Sequence, residues 1–104
     1  MKIDLQRQGA LNEYATRVFR NEADKDYIVA RIAHRFEFEQ QFLWSAEQAI
    51  EKYFKAILLY NTSSAKGIGH NIEEALRRIH YIEGFEFRLP QHVRDFVKYL
   101  DDYG

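Results

Sequence analysis

Four histidines and fifteen lysines or arginines carry the acid–base and phosphate chemistry available to this 104-residue chain. Metal-free cleavage of a phosphodiester needs a histidine that exchanges protons near neutral pH. It also needs a cation where charge builds on phosphorus. Arg31 and His34 share one side of a helical pattern and border an apolar stripe, so a phosphate or a base could meet the arginine's fork of donors there. The alternative is an ion pair or polar cluster with Glu47 or Glu51. Gln48, Lys52 and Lys55 follow one another along a second helical pattern, where they make either a nucleotide or RNA groove or an ordinary solvated face. Lys66 and His70 flank Gly67-Ile68-Gly69 just before another helix start. A helix N-terminus favours anions, so this pair could hold a phosphate; the alternative is a histidine that anchors the loop. Arg88 and His92 have i, i+4 spacing, but Pro90 between them places Arg88 before the helix rather than on it. No pair is expected to be catalytic.

Other chemistries are excluded more directly. The chain has no cysteine, which removes disulfides, cysteine-ligated zinc and a thiol nucleophile. The histidines lack metal-ligand spacing, and no metal or cofactor is expected. Lys66-Gly67-Ile68-Gly69 lacks the spacing and the preceding strand of a phosphate-binding P-loop. Fifteen basic residues against sixteen acidic give a net charge of −1. That balance excludes general electrostatic coating of nucleic acid but not a local site. No apolar run reaches the ~18–20 residues of a membrane span, and Met1-Lys2-Ile3-Asp4-Leu5 lacks a signal-peptide core. A cytoplasmic protein with no membrane partner is expected.

The elements that must position these residues are helices. One proline and five glycines leave long uninterrupted stretches. Leu11, Tyr14, Ala15, Val18 and Phe19 predict a helix over about 10–19. A second runs over about 24–38, with Asp24 as its N-cap. The third, over about 40–60, is apolar over a broad face and therefore central. Its Ala46, Ala49 and Ala56 allow a neighbouring helix close, and Glu51 and Lys55 form an i, i+4 pair worth about 0.2–0.5 kcal/mol. No breaker marks a turn between the second and third patterns. A polar loop, Asn61 to Gly69, precedes Asn71, the expected N-cap of a helix over 72–82 closed by Gly84, with Glu74 completing a capping box. Pro90 opens the last helix, whose inner face is Val93, Phe96, Val97 and Leu100. Phe85 to Leu89 alternates, but a lone strand makes no sheet. The expectation is one all-α domain over 1–104, an up-and-down bundle of four to five helices with its core at about 24–100. A 15% aromatic content in so small a chain predicts that part of the apolar surface is covered by a second copy.

Three segments carry a family resemblance. Ala23-Asp24-Lys25-Asp26-Tyr27-Ile28-Val29-Ala30-Arg31 resembles the first core helix of HEPN (higher eukaryotes and prokaryotes nucleotide-binding) domains. Trp44 to Leu58, with Gln48-Ala49, Glu51-Lys52 and Lys55-Ala56, is similar to the most recognisable helix of that family. His70-Asn71 resembles the step that follows the loop. The resemblance implies a dimerising helical bundle that pairs with a small nucleotidyltransferase in toxin–antitoxin operons or acts as a metal-independent ribonuclease. The ribonucleases carry an Arg, four to six further residues and then a His, late in the domain. Arg88 and His92 have only three residues between them, Arg31 and His34 two, Arg78 and His80 one. The pattern is therefore incomplete, and relatives continue beyond the point where Gly104 stands, so a motif would have to lie there.

The expected function is accordingly a non-catalytic HEPN module: a nucleotide- or RNA-binding domain, or a homodimeric partner of a small nucleotidyltransferase. A ribonuclease toxin and a purely structural dimerisation domain are the alternatives.

Overall fold

The computed structural model describes residues 5–82 and 88–103. Five α-helices follow one another: α1 Leu5–Tyr14, α2 Asn21–Arg35, α3 Glu39–Tyr60, α4 Ile72–His80 and α5 Gln91–Tyr103. A π-helical stretch, Ala15–Arg20, joins α1 to α2 without a break. Tyr14 and Arg20, the residues at its junctions, keep right-handed helical dihedrals. Asp24 is therefore not an N-cap. It lies inside a helix that runs from Leu5 to Arg35, because Arg20-Asn21-Glu22-Ala23 contains no breaker and Ala23 packs with no exposed surface. A π turn holds more residues than an α turn, so it rotates the buried stripe. Ala15 in the π stretch and Ala23 in α2 are both completely buried, and the Thr16 hydroxyl reaches the Tyr60 hydroxyl at the end of α3.

The turn between α2 and α3 is a Schellman motif. The Phe38 amide donates to the Ala33 carbonyl (2.8 Å) and the Glu37 amide to the His34 carbonyl (3.2 Å). Glu37 stands at the left-handed position, φ 60°, that glycine usually fills. The end of α3 repeats the device. Ser63 donates to Leu58 (2.8 Å), Thr62 donates to Leu59 (3.0 Å), and Thr62 has φ 57°. The chain thus turns sharply twice without the residue that would announce a turn.

α3 is the central helix, packed against α1, the π stretch, α2, α4 and α5. The α2–α3 seam is lined with small residues: Ala23, Ala30 and Ala33 from α2, Ala46, Ala49 and Ala56 from α3, all buried. Small side chains let two helices approach closely along their length. The larger core lies on the other side of α3, where Leu43, Phe54 and Leu58 meet Ile72, Leu76 and Ile79 of α4 and Val97 and Leu100 of α5. Val93 and Phe96 pack partly buried against it, as their spacing predicts. Ile68 is also buried and ties the 61–71 loop to the core. Asn71 caps α4, its side-chain oxygen accepting from the Glu74 amide (2.9 Å). Only that half of the expected box forms, since the Glu74 carboxylate turns to arginines instead. The described part of α4 ends at His80; Gly84 and most of the alternating Phe85–Leu89 stretch lie outside the described residues. Among the described residues the fold is all-helical, and no helix is long and apolar enough to cross a membrane.

The two non-glycine residues in left-handed backbone give a stability test. A β-branched residue suffers most there, at a cost of about 1–2 kcal/mol, and glycine returns about 0.5–1 kcal/mol of that through its freer unfolded chain. Thr62→Gly should therefore raise stability by about 0.5–1 kcal/mol in urea denaturation, and Glu37→Gly by somewhat less. A lowered midpoint for Thr62→Gly would show that its side chain holds the turn.

Candidate functional site

The most constrained polar group lies on α3. Glu51 is only 3% exposed. A buried carboxylate must be hydrogen-bonded or paired. His70 Nδ1 sits 2.6 Å from Glu51 Oε1, and Lys55 Nζ lies 3.7 Å from the same oxygen. Lys55 also donates to the Gly69 carbonyl at 2.6 Å and faces the Phe19 ring, 6.0 Å from its centre. A carboxylate accepts, so the contact requires the His70 proton on Nδ1. That leaves Nε2 toward solvent on a side chain that is 78% exposed. Beside this cluster Lys52 donates to Asp26 across the α2–α3 seam (2.6 Å), and Gln48 lies half-buried one turn earlier.

The loop that brings His70 to Glu51 is clamped from α4. Arg78 Nη1 donates to the Lys66 carbonyl (2.7 Å) and the Ser64 carbonyl (3.3 Å), while its Nε donates to Glu74 (3.0 Å). The Lys66 side chain is exposed. The amino end of α4, which the sequence offered as an anion site for Lys66 and His70, carries Asn71 as cap and Glu73 and Glu74 in its first turn. That acidic turn already complements the helix dipole. Glu74 takes hydrogen bonds from Arg77 (2.6 and 2.8 Å) as well as Arg78, and these hold its carboxyl down at about 2 against an ordinary value of 4.5.

Arg31 and His34 lie elsewhere. They line an open groove of about 960 Å³ between α2 and α3 whose floor includes Ala30, Ala46 and Ala49. Arg31 stacks on the Tyr27 ring (5.8 Å), and His34 tilts over Phe42 (4.9 Å), which itself stacks on Phe96. Glu51 is not their partner, because His70 and Lys55 hold it on the far side of α3. Asp24 accepts from the Tyr53 hydroxyl at 2.5 Å. Burial, then that bond, push Tyr53 up to about 12.

The structure thus separates the sequence candidates into a polar cluster around and beside buried Glu51 (Lys52, Lys55, His70) and a largely apolar groove (Arg31, His34). Arg88 and His92 are both exposed, Arg88 ahead of α5 and His92 in its first turn. Sequence reasoning missed a second, smaller cleft of about 370 Å³ where α4 and α5 meet, lined by Asn71, Arg77, His80 and Arg94 among others. The i, i+4 pair Arg77 and Tyr81 was visible in the sequence; the approach of Arg94 was not. Among the described residues no group of three potential metal ligands occurs.

Two outcomes follow from this geometry. Glu51→Ala should cost about 1.5–3 kcal/mol, because it removes a charge-assisted bond and strands half-buried Lys55. His70→Ala should cost less, since water replaces an exposed imidazole. The double variant should fall short of the sum, as for any coupled pair, and full additivity in urea titrations would deny the coupling. The stabilisation from Glu74 should show the pH dependence of a depressed carboxylate. It is complete above pH about 4.5, shrinks below that, and is lost once pH falls through about 2. Measured against Glu74→Gln across that window, a difference that grew toward acid would contradict the arginine pairing.

Comparison with curated proteins and with solved structures gives no match. The family model described as HEPN domain matches residues 16–104. That range contains all but the first residue of the π stretch, the four helices after it, the alanine-lined seam and the Glu51–His70 cluster. The chain belongs to the HEPN domain family.

Proposed function

We propose that this chain is a non-catalytic HEPN module that works as a homodimer, with the α2–α3 face as the surface on which two copies meet. The observation that carries this reading is the apolar groove and the ridge beside it. Ile28 is 56% exposed and Ile32 is 52% exposed, one turn apart on α2. Tyr27, Phe36 and Phe38 are exposed on the same helix or just beyond it. Small monomers rarely leave such a contiguous apolar surface in water. Ridge and groove lie side by side, so a two-fold axis seats the Ile28–Ile32 ridge of each copy against the groove of the other. Arg31, His34 and Arg35 then stand at the polar rim, where charge sets partner choice more than affinity.

Within this reading the HEPN dimer is the unit that a small nucleotidyltransferase would engage, the partner class that the family resemblance supplies. Cleavage of RNA gains no support from the arrangement of Arg88 and His92, which do not share a helical face.

Light scattering should give a mass about twice 12.5 kDa at micromolar concentration. Ile28→Asp combined with Ile32→Asp should give the monomer mass with helical circular dichroism intact. A wild-type monomer, or an unchanged dimer in the double variant, would sink the reading.

A further inference from the structure

The groove between α2 and α3 has a chemistry that a second copy answers only in part. Its floor of Ala30, Ala46 and Ala49, with Ile50 and Phe96 beside it, is apolar. Arg31, His34 and Arg35 also line it, and no aspartate or glutamate does. None of these three basic side chains is in an ion pair with a described residue. Tyr27 holds Arg31 in place, since its hydroxyl accepts from Nη1 at 3.4 Å and its ring lies under the guanidinium. That contact uses one donor of the arginine's five. The Ile28–Ile32 ridge of a second copy would fill the apolar part of the groove but would bring no counter-charge, because Tyr27 to Arg35 contains no acidic residue. It would instead add its own arginines to the same interface, and like charges brought together oppose pairing.

We propose that the groove binds a single-chain aliphatic carboxylate from solution, its tail on the alanine floor and its head on Arg31 and Arg35, and that this ligand displaces the second copy. Charge complementarity selects the head: the planar fork of an arginine matches a carboxylate with two parallel hydrogen bonds. Shape selects the tail. The lining residues of α2 run from Tyr27 to Arg35, which is about 12 Å of helix. An extended alkyl chain follows that length, and the volume of about 960 Å³ is at the upper end of ligand pockets. Each methylene that enters the groove should tighten binding about fourfold. The displacement rests on the pairing proposed above; the binding does not.

The test adds laurate, below its micellar concentration, to the whole chain. Binding is read from amide shifts at Ala46 and Ala49 and oligomeric state from light scattering. Laurate should bind one per chain, decanoate about tenfold more weakly, and dodecyltrimethylammonium, which carries the same tail under a cation, not at all. The mass should fall to 12.5 kDa as laurate saturates. Arg31→Gln combined with Arg35→Gln should weaken laurate at least tenfold with circular dichroism unchanged, as both side chains are exposed. Lys25→Gln, which removes a cation of α2 outside the groove, should not. A chain that is monomeric before laurate is added would remove the displacement together with the dimer reading, while the shifts at Ala46 and Ala49 would still decide the binding. Laurate bound to a dimer of unchanged mass would overturn the displacement alone. Absence of shifts with laurate, equal binding of the cationic amphiphile, binding that persists in the double variant, or attachment to phosphatidylglycerol vesicles without any response to free laurate would overturn the proposal.

Discussion

A 22-residue helix surrounded by every other element has no side left to turn entirely to water. That constraint on α3 governs the rest of the molecule. Glu51 sits on the helix where α4 and the preceding loop close over it, and a buried carboxylate without partners would cost several kcal/mol. His70 and Lys55 supply those partners. Lys55 then holds the Gly69 carbonyl, Arg78 holds the carbonyls of Ser64 and Lys66, and Ile68 drops into the core. An otherwise polar, flexible loop is fixed at four points because one acid had to be satisfied.

The alanines impose the complementary constraint. Residues that let α2 and α3 approach closely cannot fill the space beside the seam. The larger apolar side chains of α2 are displaced to its outer surface, where Ile28 and Ile32 flank a groove floored by alanine. A tight intramolecular seam and an unfinished apolar surface are thus two results of the same substitution of small for large residues. The described helices do not cover that surface, and a domain of this size gains proportionally more from a second copy than a larger one would.

The helical content, the central place of α3 and the inner face of α5 were legible in the sequence because each rests on periodicity, which local composition carries directly. The two sharp turns were not. Glu37 and Thr62 occupy left-handed backbone that composition reserves for glycine, so neither marks itself as a helix end. The π stretch was equally silent, since Ala15 to Arg20 contains only residues that an α-helix also accepts, and Asp24 therefore looked like a helix start. The site was half legible. Lys52, Lys55 and His70 drew attention by type and spacing, but type cannot say whether a cation faces a ligand or a neighbouring carboxylate. Glu51 decided that for two of them and Asp26 for the third. Arg94 and His80 gave no signal because they stand on separate helices, and only the packing of α4 against α5 brings them to one cleft.

Placing the internal ion pairs and the open surfaces on one map separates two kinds of recognition. The side of α3 that carries α2 is largely apolar and contiguous, with Arg31, His34 and Arg35 at its rim, which suits a surface that discriminates by shape and rim charge. On the side that carries α4 and α5, one carboxylate, Glu74, engages both Arg77 and Arg78 beside a small hollow that Arg94 and His80 also line. A net charge of −1 reflects fifteen basic residues against sixteen acidic ones rather than a lack of basic groups. Long-range attraction of a polyanion is consequently weak. The angle between α4 and α5 is set by the Ile72, Ile79, Val97 and Leu100 core. The same packing that builds the bundle therefore fixes the shape of the hollow between these two helices.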